Sequence, residues 1–325
     1  MKALICKEFG PAEKLVLEEV APIEPGEGQV VIGIKACSVN FPDTLIIEGK
    51  YQFKPDLPFT PGTDVSGIIT KIGTEVTNAH IGDRVMALPM WGGFAEEVAV
   101  GAQQLITLPH NVDFVPAAAS ALTYATSYHA LKDRASLQAG ETLLVLGAAG
   151  GVGLAAVELG KMMGAKVIAA ASSDEKLAVC QQYGADELVN YSTENLKERV
   201  RTLTGKRGVD VVYDPIGGPY SELALRNMAW EGRFLVIGFS NGEIPRIPLN
   251  LALLKGCSIV GVFFGEFARR EPQRYIQNFQ QLLAWIGEGT LKPFVSATYP
   301  LAEAPAAIRY VADRKVKGKV VVTTS

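Results

Sequence analysis

Gly147, Gly150, Gly151 and Gly153 follow directly on the apolar run of residues 143–146 and lead straight into the helix-like stretch GLAAVELGKMMG. A strand, a glycine loop and a helix in this order turn bare backbone N–H groups and the positive end of a helix dipole toward whatever fills the loop. The ligand that matches is a pyrophosphate. Gly150 lets the backbone approach that phosphate, Gly151 and Val152 offer N–H groups beside it, and Gly153 lets the helix lie close to the strand. Ala148 stands where the G-x-G-x-x-G fingerprint has its first glycine. The glycine pattern alone is therefore a weak signal, and its weight comes from its setting, since a second apolar strand, KVIAAAS, follows the helix.

The tip of that second strand selects the dinucleotide. An NAD site places an acid there to bond the ribose 2′-hydroxyl, whereas this chain reads Ala171-Ser172-Ser173-Asp174-Glu175-Lys176. Ser172 and Ser173 are small hydroxyls, and Lys176 lies one helical turn further on, where an ammonium meets a 2′-phosphate. The residues favour NADPH. The opposing reading makes Asp174 the ribose acid, although its position also suits the first turn of a helix, where acids complement the dipole.

Metal chemistry finds no such pattern. The four cysteines, Cys6, Cys37, Cys180 and Cys257, are far apart and form no C-x-x-C pair, and His80, His110 and His129 have no ligand spacing to one another or to a cysteine. Neither a zinc knuckle nor a disulfide framework is visible. With 20% charged residues and a net charge of −3, the chain lacks the basic footprint of a nucleic-acid binder. The first residues are interrupted by charge too soon for a signal peptide or a membrane span, so a cytoplasmic protein is expected.

A chain of 325 residues has room for two domains. As far as Pro116 the sequence consists of short β-favouring runs such as QVVIGIKACSV, DVSGIITKIG and AEEVAV, separated by Gly, Pro and Asn. From Ala117 an Ala-rich helical stretch, AAASALTYATSYHALKD, opens an alternation of helices with the strands TLLVLGA, KVIAAAS, ELVNY, VDVVYD, GRFLVIGF and SIVGVFF. Continuously apolar strands are those buried under helices on both faces. The expected fold is α/β, a six-stranded doubly wound parallel Rossmann domain over residues 117–265 with a β-rich domain from residues 1–116. The closing residues 266–325 are too short for a third domain and are expected to rejoin the first.

The whole chain resembles the quinone oxidoreductase (zeta-crystallin-like) branch of the medium-chain dehydrogenase/reductase superfamily. The resemblance rests on SVNFPDTLIIEGKYQFKPDLPFTPGTDVSG, the AAGGVG loop, SSDEKLAVCQQYGADELVNYS, WEGRFLVIGFSNG and KVKGKVVV, in the family's order over nearly the full length. It implies that the β-rich domain is GroES-like and catalytic, with the nicotinamide in a cleft between the domains. Zinc-dependent relatives carry a Cys at the position of Asn40 and a His-Glu pair where this chain has Thr63-Asp64, and a four-cysteine lobe where residues 86–100 contain no cysteine. The resemblance thus implies a zinc-free enzyme. Hydride addition to an acceptor already activated by conjugation, a quinone or an enone, needs no Lewis acid.

By the same resemblance Asn40 and Tyr51 form a polar wall for the acceptor, and Thr126 and Tyr128 lie near the nicotinamide and its ribose. Tyr191 goes to the adenosine end beside Lys176, Phe239 to the ribose or adenine side, Phe263 and Phe264 to the carboxamide, and Lys319 to the cofactor. Close relatives pair their last Rossmann strand across a two-fold axis, which implies a homodimer. Two rival readings stay open: a 2-enoyl thioester or alkenal double-bond reductase with Tyr51 as proton donor, and a crystallin-like or RNA-binding role without turnover.

Overall fold

The computed structural model describes residues 1–324. They form two compact units, one from residues 1–122 together with 279 onward, the other from residues 123–278. The divisions fall inside two helices, Phe114–Tyr128 and Pro272–Gly287.

In the second unit the six apolar runs become one sheet, in the order Glu187–Asn190, Lys166–Ala171, Thr142–Leu146, Val209–Asp214, Met228–Val236 and Ser258–Gly261. Every neighbouring pair is parallel, and Val209–Asp214 is buried along its whole length. The chain order reverses between Thr142–Leu146 and Val209–Asp214, the switch point at which a doubly wound sheet opens a crevice beyond its carboxyl edge. Gly164 and Gly184, at φ +82 and +99, end the helices Gly151–Met162 and Asp174–Gln182 in the left-handed conformation that glycine adopts without strain.

Two sequence expectations need correction here. SIVGVFF does not run as one strand: Ser258–Gly261 pairs with its neighbour only as far as Val236, Val262 N–H closes the ladder on Val236 O, and no partner remains for Phe263. Phe263 caps a new helix, Phe264–Arg270, whose Phe264 packs on Phe267 and Tyr275. The Ala-rich stretch likewise is not one uniform helix, because Phe114–Tyr128 widens into a π-helical turn over His129–Arg134.

In the first unit the strand Gln29–Val39 is the organising element, paired with Asp64–Ile72, Glu97–Gly101 and Lys319–Thr323. Of the closing segment, residues 266–278 group with the other unit and residues 279 onward with this one: Lys319–Thr323 lies antiparallel to Gln29–Val39, with Val320 opposite Val39, and parallel to Val295–Pro300. Val30, Ile32, Val65, Ile69, Val320 and Val322 bury their side chains in a common core, which Ile308 on the helix Ala304–Ala312 helps to close. Among the described residues no helix is long and apolar enough to cross a membrane.

The two glycines of the loop differ in what a side chain would meet. A Cβ on Gly153 would lie 2.3 Å from Gly147 O and 2.9 Å from Ala148 Cα, whereas on Gly150 its nearest neighbour would be Gly147 O at 3.4 Å. Gly153→Ala must push backbone apart and is expected to cost at least about 1–3 kcal/mol. Gly150→Ala, at φ −74, should leave the melting temperature close to that of the parent, and thermal denaturation of the two variants checks the difference.

Candidate functional site

The Rossmann-type unit gathers most of the expected cofactor residues at one edge of its sheet. Parallel strands end on the same side, so the residues that follow Thr142–Leu146, Lys166–Ala171, Glu187–Asn190, Met228–Val236 and Ser258–Gly261 come together there. These are the glycine loop with Gly150, Gly151, Val152 and Gly153, then Ser172 and Ser173, Tyr191, Phe239, and Phe263. No side chain caps the helix Gly151–Met162, and its first N–H groups have no partner within the helix, the arrangement that takes up an anion.

At the next strand tip, Ser173 caps the helix Asp174–Gln182 by accepting from Lys176 N–H at 3.4 Å. Lys176 Nζ turns back to Ser172 Oγ at 3.2 Å, and Ser192 Oγ donates to Ser172 O at 2.9 Å. Asp174, the candidate ribose acid, instead accepts from Asn190 Nδ2 at 2.7 Å. The tip therefore presents hydroxyls and an ammonium, while its carboxylate is occupied in tying two strand ends together. Tyr191 leans on Tyr220 with ring centroids 4.5 Å apart. Phe239 is 38% exposed against the Gly217 turn, and Phe263 is 55% exposed while Phe264 is buried.

Thr126 and Tyr128 are buried on the helix Phe114–Tyr128. Ser127 between them donates to Val152 O at 2.9 Å and shares a 2.8 Å hydrogen bond with the buried Tyr213 hydroxyl, which fixes this helix to the glycine loop. Lys132 sits over the Tyr128 ring, 4.9 Å from its centroid.

In the β-rich unit the expected residues lie in a polar cluster inside the sheet. The strand Gln29–Val39 stops at Asn40, which starts the short helix Phe41–Ile46. Asn40 Nδ2 donates to Asp64 Oδ2 at 2.9 Å, and its Oδ1 accepts from the Lys319 ammonium at 2.6 Å. Lys319 Nζ also donates to Val39 O at 2.8 Å and is 4% exposed. Lys319, expected at the cofactor, is thus engaged inside this unit, holding Asn40. Asp64 Oδ2 accepts further from Ser38 Oγ at 2.7 Å and Leu122 N–H at 3.3 Å, while its Oδ1 is buried without a partner. Asp43 accepts from Asn40 N–H at 2.7 Å and from Thr63 Oγ1 at 3.3 Å.

Burial raises Asp64 and lowers Lys319, each disfavouring its charged form, and pushes Asp43 up to about 7. Tyr51 is half-buried, packed against the core and tilted against Phe53 with ring centroids 6.1 Å apart, and its hydroxyl is raised by burial and then by the nearby Asp43.

This donor set does not fit zinc. An amide bonded to an ammonium, a threonine hydroxyl and a carboxylate stand at the positions where zinc-dependent relatives have Cys, His and Glu. A dication next to a buried Lys319 would meet like charge, and neither Asn40 nor Thr63 is a soft or imidazole ligand. Among the described residues no three His, Cys, Asp or Glu side chains are grouped closely enough to hold a metal. The cysteines are free thiols, Cys37 buried and raised well above its usual value by burial.

Sequence reading named Asn40 and Lys319 separately and missed what joins them. Asp43 has a local signal, since an acid three residues into a helix that starts at Asn40 is half of a capping box. Ile216 has none: its side chain covers Gly147, where a Cβ would come within 2.4 Å of it.

Comparison with known proteins agrees with this architecture. A family model described as the alcohol dehydrogenase GroES-like domain matches residues 26–110, and one described as zinc-binding dehydrogenase matches residues 151–286. The quinone oxidoreductase-like protein 2 homolog of Nematostella vectensis is 40% identical over 327 residues, covering 99% of this chain and 89% of that one. Among solved structures, Escherichia coli quinone oxidoreductase complexed with NADPH superposes with a TM-score of 0.94 at 29% identity, over 99% of this chain and 100% of that one. A 2-haloacrylate reductase superposes with a TM-score of 0.88 at 29% identity, over the full length of both. With its glycine loop at the switch point of a six-stranded parallel sheet and its similarity running from end to end, the chain belongs to the quinone oxidoreductase branch of the medium-chain dehydrogenase/reductase superfamily.

Proposed function

We propose that this protein is an NADPH-dependent oxidoreductase that reduces a quinone or another conjugated carbonyl by hydride transfer without zinc. The observation that carries the reading is the state of Asn40. Its carbonyl is held by Lys319 and one of its amide hydrogens by Asp64, so the second amide hydrogen is a fixed donor that needs no reorganisation when negative charge develops on an acceptor oxygen. Bound NADPH supplies the hydride. The chain's own tasks are to bind the cofactor, to orient the acceptor with Asn40 and Tyr51, and to leave the nicotinamide side to Thr126, Tyr128, Phe263 and Phe264.

The cofactor assignment draws on Ser172, Ser173, Lys176 and Tyr191 at the adenosine end, on Phe239 at the ribose or adenine side, and on the glycine loop. The similarity to a quinone oxidoreductase solved with NADPH supports it. A homodimer fits the free edge of Ser258–Gly261 and the exposed apolar side chains Leu249, Leu253 and Leu254 of the segment that precedes it, 78%, 80% and 71% exposed. The similarity to a 2-haloacrylate reductase favours a second reading on the same frame, reduction of a carbon–carbon double bond conjugated to a carboxyl or thioester.

NADPH oxidation followed in the near ultraviolet against 1,4-benzoquinone, 9,10-phenanthrenequinone, an alkenal and crotonyl-CoA separates the two. Faster turnover of the quinones is expected, and preference for crotonyl-CoA would move the protein to the enoyl-thioester reductases. Lys176→Ala should weaken NADPH by about 1.5–3 kcal/mol through loss of a charged hydrogen bond and leave NADH nearly unchanged. Equal effects on the Michaelis constants of both cofactors would refute the role of this lysine.

A further inference from the structure

Hydride addition to a quinone leaves a hydroquinone monoanion, and one proton must still reach its oxygen. The β-rich unit contains a group of residues whose charges suit that task. Asp43, Asp64 and Lys319 are 1%, 0% and 4% exposed, so one buried ammonium faces two buried carboxyl groups. A single positive charge balances a single carboxylate, and a second uncompensated charge at this depth would cost several kcal/mol. Asp64 has the stronger claim to be ionised, because its Oδ2 collects hydrogen bonds from Ser38, Asn40 and Leu122. Asp43 accepts two, one of them the long contact from Thr63.

We infer that Asp43 and Asp64 hold one exchangeable proton between them beneath the Lys319 ammonium, and that Asp43 passes it through the Thr63 hydroxyl to the oxygen of the reduced acceptor. Asn40, Ser38 and both carboxyl groups are buried, whereas Thr63 is half-buried and the most exposed of them. A hydroxyl both accepts and donates. The Asp43 O–H bond breaks as Thr63 Oγ1 accepts the proton, the Thr63 O–H bond breaks as its proton goes to the acceptor oxygen, and the product is neutral hydroquinone. The carboxylate left behind is reprotonated from water by the reverse path. Electrons move only in the hydride step.

The titratable groups facing Asp43 are Asp64, Lys319, the Cys37 thiol and the Tyr51 hydroxyl. The helix Ala304–Ala312, packed on Phe41–Ile46, buries Ala304, Ala307, Ile308 and Val311 and so brings no buried charge to the cluster. The position of Asp43, pushed up to about 7 by burial, agrees with a proton held near neutral pH.

The transfer rests on the proposed reductase reading, but the proton store does not, and two measurements keep them apart. In carbon-13 NMR of protein labelled at the aspartate carboxyl, one resonance should titrate near neutral pH, disappear in Asp43→Asn and remain in Thr63→Val. If every aspartate titrates in the ordinary carboxylate range, the store does not exist. In turnover with a quinone, Thr63→Val, which keeps the side-chain shape, should lower kcat by about 10-fold or more. It should also raise the solvent deuterium isotope effect and leave the Michaelis constant for NADPH unchanged. An unaltered kcat and isotope effect would overturn the relay. Absence of turnover with any conjugated carbonyl in the parent protein would defeat the reductase reading and with it the transfer, while the NMR titration would still decide the store.

Discussion

An ammonium inside a β-sheet core has to be surrounded by acceptors, and Lys319 sets that condition for the whole β-rich unit. It lies at the start of the last strand, and the register that puts Val320 opposite Val39 carries its side chain to Val39 O and Asn40 Oδ1. Asn40 in turn reaches Asp64 on the neighbouring strand. Three segments far apart in sequence are thus joined by hydrogen bonds in which at least one partner is charged, and such bonds contribute about 1.5–3 kcal/mol each when satisfied. Removing one member leaves a buried charge unpaired, which is the more expensive state. The same bonds fix the amide of Asn40 and set an ammonium against its carbonyl.

The Rossmann-type unit solves a different problem with backbone instead of side chains. Its inner strands are mostly apolar and pair with one another, with side-chain hydrogen bonds added at Asp210, Asp214 and Arg233, and the expected cofactor residues lie just past their carboxyl ends. Gly153 allows the helix Gly151–Met162 to start against Gly147 and Ala148. Ser127 and the Tyr213 hydroxyl then brace that first turn through Val152 O. One steric requirement and one hydrogen-bonded brace hold the N–H groups of that turn in place.

Legibility in the sequence follows the same division. The inner Rossmann strands could be read because burial on both faces demands long apolar runs, and the glycine loop because close approach demands glycine. SIVGVFF misled because composition carries no information about where the neighbouring strand ends: Phe263 and Phe264 have strand-like side chains but no ladder to join. Within KVKGKVVV three lysines look alike, and only the pairing register selects Lys319 for burial. Asp43 in SVNFPDT reads as an ordinary turn acid until the fold brings Asp64 and Lys319 beside it. Local patterns are visible in sequence, whereas a polar cluster assembled from distant strands is not.

In the proposed reaction this arrangement performs reduction with its own hydrogen bonds in place of a metal. The direct test is metal analysis of protein purified without chelator, together with NADPH-dependent quinone turnover before and after dialysis against a strong zinc chelator. The account predicts no stoichiometric zinc and unchanged turnover. One zinc per chain, or turnover lost to the chelator and restored by added zinc, would contradict it.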